Sequence, residues 1–241
     1  MVFLPGLLCD AAVWEYQARA VSDIAMCTTV EWGSEDSLAG MAQTVLRAAP
    51  EQFAIAGHSM GGRVALEVYR AVPGRVTHIA LLNTGYLPRV NNAAGQQEER
   101  DRYVLLEMAK SRGMRAMAEQ WLPPMINPAR RSDATLTNAI VEMFTRKTPE
   151  IFAAQIQALL NRPDATPVLG QIRCPVLLLS GREDDWSPPS RHEEMAALIP
   201  SPPAPKPRVV EVPDCGHMST LEQPQAVSEA LYDLLAKNPI S

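Results

Sequence analysis

Apolar residues along this chain follow two different periods. Val2–Leu4, Phe53–Ala56, Val76–Leu82, Val176–Leu179 and Val209–Val212 are short, near-continuous runs of aliphatic and branched residues, and "IAMCTTVEW" (24–32) can supply one more. Such runs suit strands of a parallel sheet covered on both faces. Between them apolar positions recur every third or fourth residue, as expected for helices with one buried face. This pattern covers "AAVWEYQARAV" (11–21), "SLAGMAQTVLRAA" (37–49) with Leu38, Met41, Ala42 and Val45 on one side, Gly62–Ala71, and Gln225–Ala236. Strand alternating with helix predicts a doubly wound α/β sheet.

The alternation stops from about Tyr86 to Thr166. Leu136, Ile140, Met143 and Phe144 follow helical spacing, as do Phe152, Ile156, Leu159 and Leu160, and Thr148-Pro149 is a helix start with a capping hydroxyl. The expectation is a core of residues 1–85 and 166–241, with a helical cap of residues 86–165 lying over the C-terminal edge of the sheet. "PSPPAPKP" (200–207) is expected to be an extended surface loop before the last strand. No internal repeat is present.

Composition narrows the class. With 241 residues, 46% hydrophobic and 20% charged, the chain suits a single globular domain. A net charge of −5 without a clustered basic face argues against nucleic acid or an anionic membrane as partner. Cys9, Cys27, Cys174 and Cys215 are scattered, with neither a C-x-x-C pair nor metal-ligand spacing, so reduced thiols and no metal site are expected. "MVFLPGLLCDAA" lacks the basic start of a secretory leader, and no apolar run approaches the roughly 18 residues that span a bilayer. A cytoplasmic protein is expected. The oligomeric state has no signal in the sequence.

The chemistry centres on "QFAIAGHSMGGRVALEVYRA" (52–71), where Gly57-His58-Ser59-Met60-Gly61 separates a buried strand from a helix. A turn this abrupt strains its central residue, and glycine on either side avoids collision with the adjoining strand and helix. It would hold the Ser59 hydroxyl clear of the sheet, at the start of a helix whose dipole favours negative charge. A serine nucleophile needs a base, and the base needs an orienting group. Of the four histidines, His58 adjoins the serine and is expected to point away, His78 leads into a strand, and His192 lies on an expected surface helix. His217, beside Gly216 in a loop after the last strand, stands where such sheets keep their sites and is the predicted base. The orienting acid falls in "SGREDDWSPP" (180–189), where Glu183, Asp184 and Asp185 follow one another and complete the order Ser, acid, His. Donors for an oxyanion are expected from the backbone N–H of Met60 and of Leu7, the latter in the Pro5-Gly6 loop after the first strand.

Together these residues resemble the α/β-hydrolase superfamily, in its lidded, esterase-like form. The matching pieces are Leu4-Pro5-Gly6-Leu7, Gly57-His58-Ser59-Met60-Gly61-Gly62, Gly181-x-x-Asp184-x-x-x-Pro188, and Asp214-x-Gly216-His217 with Glu222 and Pro224. The family register selects Asp184 over Asp185. The resemblance implies about six strands, mostly parallel, with the two antiparallel strands that open the family fold missing. Pro-Gly also stands where many relatives have His-Gly. It further implies a cofactor-free serine hydrolase acting on a small to medium carboxylic ester through an acyl-enzyme.

Leu8, Met60, Trp186 and Met218 are expected to touch substrate, and Met108, Met114, Met117, Met125 and Met143 to give the cap an adaptable apolar cavity. Ser59 argues against dehalogenase and epoxide-hydrolase relatives, which carry aspartate there. His58 and Met218 depart from the carbon–carbon bond hydrolases that cleave ring-fission products, which stay the second reading beside lactonase, thioesterase, acyltransferase and perhydrolase. A binding protein that merely keeps the fold would need none of the three catalytic groups.

Overall fold

The computed structural model describes residues 1–201 and 205–236. Part of the proline-rich stretch 200–207 therefore lies outside the described residues. Six strands, β1 (Val2–Leu4), β2 (Thr28–Thr29), β3 (Phe53–His58), β4 (Val76–Leu82), β5 (Val176–Gly181) and β6 (Arg208–Val212), form one sheet among the described residues, in the order β2-β1-β3-β4-β5-β6. Every pairing in it is parallel. β3 and β5 are buried at every position, because helices cover both faces. β6, at the edge, is largely open to solvent.

The helices of the sheet are α1 (Glu15–Ala20), α2 (Leu38–Ala48), α3 (Met60–Ala71), α8 (Pro189–Leu198), α9 (Ser219–Glu222) and α10 (Pro224–Ala236). Between β4 and β5 the chain is helical: α4 (Ala93–Trp121), α5 (Ala134–Thr145), α6 (Pro149–Leu160) and α7 (Thr166–Leu169). Thr148 caps α6 by accepting from the Ile151 N–H, and the apolar stripes of α5 and α6 are buried. α4 breaks at Gly113, whose φ of 88° leaves the helical region. No helix is long and apolar enough to cross a membrane among the described residues.

Two local expectations change. The helix expected over 11–21 splits into a 3₁₀ turn at Ala11–Trp14 and the shorter α1. Asp10 accepts from the Ala12 N–H, and Trp14 turns inward to stack on Phe3 with ring centroids 4.8 Å apart. The strand expected within 24–32 pairs only at Thr28–Thr29, since β2 is the sheet edge and Met26 is 95% exposed.

The chain leaves β1 for β2 on one side and returns to β3 on the other, so β1 and β3 flank the point where the winding reverses. Loops at the C-terminal ends of such strands form the binding crevice. Among the described residues, the non-glycine residues with positive φ are Leu8, Ser59, Asn83 and Asp214, and each follows the end of a strand at this edge. Backbone strain of this kind costs of order 1–3 kcal/mol per residue and marks sites where geometry is over-determined by packing.

Candidate active site

One residue separates β3 from α3. Ser59 makes this turn alone, with φ 54° and ψ −116°. A side chain at Gly57 would come within 2.3 Å of the Gly61 carbonyl oxygen, and one at Gly61 within 2.0 Å of the Leu4 carbonyl oxygen. Strand, turn and helix can meet this closely only because both positions lack a Cβ. The Thr84 hydroxyl donates to the Ser59 carbonyl over 2.7 Å and fixes the turn from the neighbouring strand end.

Ser59 Oγ lies 2.8 Å from His217 Nε2, and His217 Nδ1 lies 2.9 Å from Asp184 Oδ2. Three residues from three strand ends thus form one hydrogen-bonded line. Asp184 is buried, and burial by itself would raise its pKa. The His217 charge and the hydrogen bonds from His217, Asn83 and the Ser187 amide outweigh burial and hold the carboxyl well below its ordinary range. Its other oxygen accepts from the Trp186 and Ser187 amides, 3.0 Å each. An ionised Asp184 places the His217 proton on Nδ1 and leaves Nε2 free to accept from the serine.

The three consecutive acids take three different positions. Asp184 faces His217, Asp185 is exposed, and Glu183 accepts from the Cys215 N–H at 2.8 Å and from Asn127 Nδ2 at 3.2 Å. Asn83 is not among the residues that the sequence motifs mark. Its amide donates to Asp184 Oδ2 (2.9 Å) and to the Gly216 carbonyl (3.2 Å), coupling acid and histidine loops. The signal available was its position, a polar residue directly after a buried strand at the same edge as Ser59. Glu222 accepts from the Gly216 and Met218 amides on either side of His217, and from the Asn127 amide of the insertion.

Gly6 brings the first loop against the turn: a Cβ there would stand 3.3 Å from Ser59 Cβ. In that loop the Cys9 N–H bonds the Gly6 carbonyl and the Leu8 N–H bonds Gln155 Oε1, while the Leu7 N–H takes part in neither bond. Met60 opens α3, so its N–H has no intrahelical acceptor.

Other expected placements are corrected. His58 does not point away from the site. It is buried, and its Nε2–H donates to the His217 carbonyl at 2.7 Å, because the loop of His217 folds back over the turn. His192 is not on a surface face. It is fully buried, and its Nε2 accepts the Thr84 N–H at 3.3 Å, since α8 packs that side inward. Leu8 is fully buried in the core and does not line the cavity, its positive φ directing the chain past the site.

A cavity of about 720 Å³ opens onto Ser59 and His217, and Leu7, Met60, Trp186 and Met218 line it. From the insertion, Trp121, Phe144 and Phe152 line it, and of Met108, Met114, Met117, Met125 and Met143 only Met125 does. Trp121 stands 5.9 Å from Trp186, 5.6 Å from Phe144 and 5.9 Å from Phe152, and Trp186 stands 5.0 Å from His217, between ring centroids.

The alpha/beta hydrolase family model matches residues 1–230. A pimeloyl-[acyl-carrier protein] methyl ester esterase of Aromatoleum aromaticum is 24% identical over 206 residues, covering 83% of this chain and 80% of that protein. Among solved structures, a thermophilic esterase from Thermogutta terrifontis superposes with a TM-score of 0.85 at 25% identity, covering 99% of this chain and 90% of that one. The enol-lactonase from Burkholderia xenovorans LB400 has a TM-score of 0.81 at 22% identity, with 98% and 90% covered, a likeness of fold. With its parallel six-stranded sheet, its helical insertion and a family match over nearly its whole length, this chain belongs to the alpha/beta hydrolase family.

Proposed function

We propose that this protein is a serine hydrolase that cleaves a carboxylic ester through an acyl-enzyme, with Ser59 as nucleophile, His217 as base and Asp184 as orienting acid. Ester cleavage agrees with the esterases to which the chain is similar. The observation that supports these three roles is the contact of 2.8 Å between Ser59 Oγ and His217 Nε2.

In this mechanism Ser59 Oγ attacks the ester carbonyl carbon as its proton passes to His217 Nε2. Asp184 holds the imidazole by Nδ1 and offsets the positive charge that forms on the ring. The carbonyl oxygen becomes an oxyanion facing the N–H groups of Leu7 and Met60, at the positive end of the α3 dipole. The intermediate collapses, the alcohol leaves with the proton from Nε2, and acyl-Ser59 remains. Water then attacks in the same way, giving its proton to His217 and releasing the acid and free serine. Every proton taken by His217 is returned, so no cofactor enters the cycle.

The test is labelling with a fluorophosphonate beside hydrolysis of p-nitrophenyl butanoate. Wild type is expected to react with the probe and turn over the ester, and Ser59→Ala to do neither. A wild-type protein that resists the probe, or a Ser59→Ala variant that retains turnover, removes this reading.

A further inference from the structure

The ester chemistry derived above uses no cationic side chain, yet one wall of the cavity is built from them. Arg63, Arg102, Arg162 and Arg191 line it, and Glu98 and Asp101 are the acids found there. Two of the four guanidiniums share the single carboxylate of Glu98: Arg162 Nη1 and Nη2 lie 2.7 and 2.8 Å from its two oxygens, and Arg102 Nη2 lies 2.8 Å from Oε1. Asp101 is exposed and accepts from Gln97.

Arg63 and Arg191 differ from that pair. Arg63 Nη1 donates to the Leu87 carbonyl at 2.9 Å, and Arg191 Nη1 donates to the Trp186 carbonyl and, at 3.5 Å, to the Ser187 hydroxyl. All three acceptors are neutral, and neither arginine forms an ion pair among the described residues. The two heads also converge. A methyl group at Gly85 would lie 2.8 Å from Arg63 Nη2 and 3.6 Å from Arg191 Nη1. That point is close to the chemistry: Gly85 follows Thr84, whose hydroxyl holds the Ser59 carbonyl, and Arg63 stands about 6 Å along α3 from Ser59. Burial, then the charges of Arg162 and Arg191, push the Arg63 pKa down to about 9. A guanidinium keeps its proton, so the strain of facing like charges is relieved by an oxyanion, which the planar fork can grip with two parallel hydrogen bonds.

We propose that Arg63 and Arg191 form a subsite for an oxyanion, so that the preferred substrate is an ester carrying a carboxylate or phosphate at a second position. The inference rests on the reading of Ser59 as the ester-cleaving nucleophile. The aromatic wall would hold the carbon skeleton between the two polar ends. A neutral ester would leave both guanidiniums facing one another without an anion.

The test compares matched esters by kcat/KM. One pair places the charge on the acyl side: p-nitrophenyl hydrogen adipate against the same ester with its free carboxylate replaced by a primary amide. The other places it on the alcohol side: 4-butanoyloxybutanoate against the corresponding amide. A third ester with phosphate replacing carboxylate tells which oxyanion is favoured. The charged member of at least one pair is expected to lead by about tenfold or more, chiefly through KM. That ratio is expected to fall to within about threefold in Arg63→Gln and in Arg191→Gln, and to shrink with added salt. The substitutions lie on different helices, so a folding defect in one leaves the other as a test. Equal rates within every pair, or a preference that survives both substitutions, overturns the subsite. If wild type cleaves none of the esters, calorimetry with adipate separates the two readings. Binding that is lost in both variants keeps the subsite and removes the esterase reading, and absence of binding removes both.

Discussion

The Glu222 carboxylate accepts a hydrogen bond of 2.8 Å from the backbone N–H of Asn127, tying the helical insertion to the loop that carries His217. The same carboxylate takes the Gly216 N–H at 3.0 Å and the Met218 N–H at 3.0 Å, and the His217 N–H in turn bonds the Met125 carbonyl at 2.7 Å. Glu222 lies five residues beyond His217 and is not among the residues that line the cavity, so a positioning role is expected of it. Glu222→Ala leaves three buried amides without an acceptor, at a cost of about 1–3 kcal/mol each. The variant is expected to lose kcat by about tenfold or more and to melt several degrees lower, with Glu222→Gln in between. Thermal melts beside steady-state kinetics check this, and a Glu222→Ala enzyme with wild-type kcat would assign the carboxylate to stability alone.

Asp184 and Asp185 are neighbours in sequence with opposite surroundings, one buried against His217 and the other exposed. Asp184 Oδ2 receives both His217 Nδ1–H and Asn83 Nδ2–H, so an amide NH₂ there would face two donors. Asp184→Asn is expected to lower kcat by roughly 10³–10⁴-fold by removing the preference for the productive imidazole tautomer. Asp185→Asn is expected to stay within about twofold of wild type. Kinetics of the two variants on one ester decide between them.

His58 and His192 are both buried, and burial holds each pKa at about 4, against 6.5 in an unfolded chain. Between these values the unfolded chain binds more protons than the folded one, so stability rises with pH across that window. Acidification from about pH 6.5 to about pH 4 is therefore expected to remove roughly 3 kcal/mol per histidine, and the loss levels off below. Urea midpoints measured across this range, with His192→Gln to flatten the slope, test the linkage. A slope unaltered by the substitution would place the proton uptake elsewhere.

Trp186 and Trp121 form a continuous face from the His217 ring to Phe144 and Phe152. Trp121 packs on Trp186, which in turn packs on the His217 ring, so its loss is expected to weaken binding rather than chemistry. Trp121→Ala should raise KM for p-nitrophenyl hexanoate by about five- to fiftyfold with kcat within about threefold. A fall in kcat with unchanged KM would mean that the indole supports the histidine loop instead.

Gly61→Ala places a methyl 2.0 Å from the Leu4 carbonyl oxygen, inside the parallel contact that joins β1 to the turn. Backbone on both sides leaves no room for adjustment. The variant is expected to be destabilised by about 3 kcal/mol or more and to accumulate as insoluble protein. Soluble expression and circular dichroism check it.

The strand-helix alternation, the helical insertion and the Gly57-x-Ser59-x-Gly61 turn were legible because each depends on neighbours in sequence: period of burial, capping at Thr148, absence of side chains beside Ser59. The candidate acid and base were legible for a related reason, since both follow buried strands and sheets of this kind gather strand ends at one edge. The 11–21 and 24–32 segments misled because a side-chain cap at Asp10 and an edge position, rather than periodicity, shaped them.

What only the tertiary structure decided are relations between distant side chains. No local signal says that His192 turns inward to the Thr84 amide, that Leu8 is core while Leu7 borders the cavity, or that Asn83 holds Asp184. Nor does it bring Arg63 and Arg191 to the same point beside Gly85. Backbone conformation answers to residues a few positions away, whereas the partner of a buried polar group is whichever element packing delivers to it. The sequence by itself thus determined the scaffold and the turn that carries Ser59, and packing determined what surrounds them.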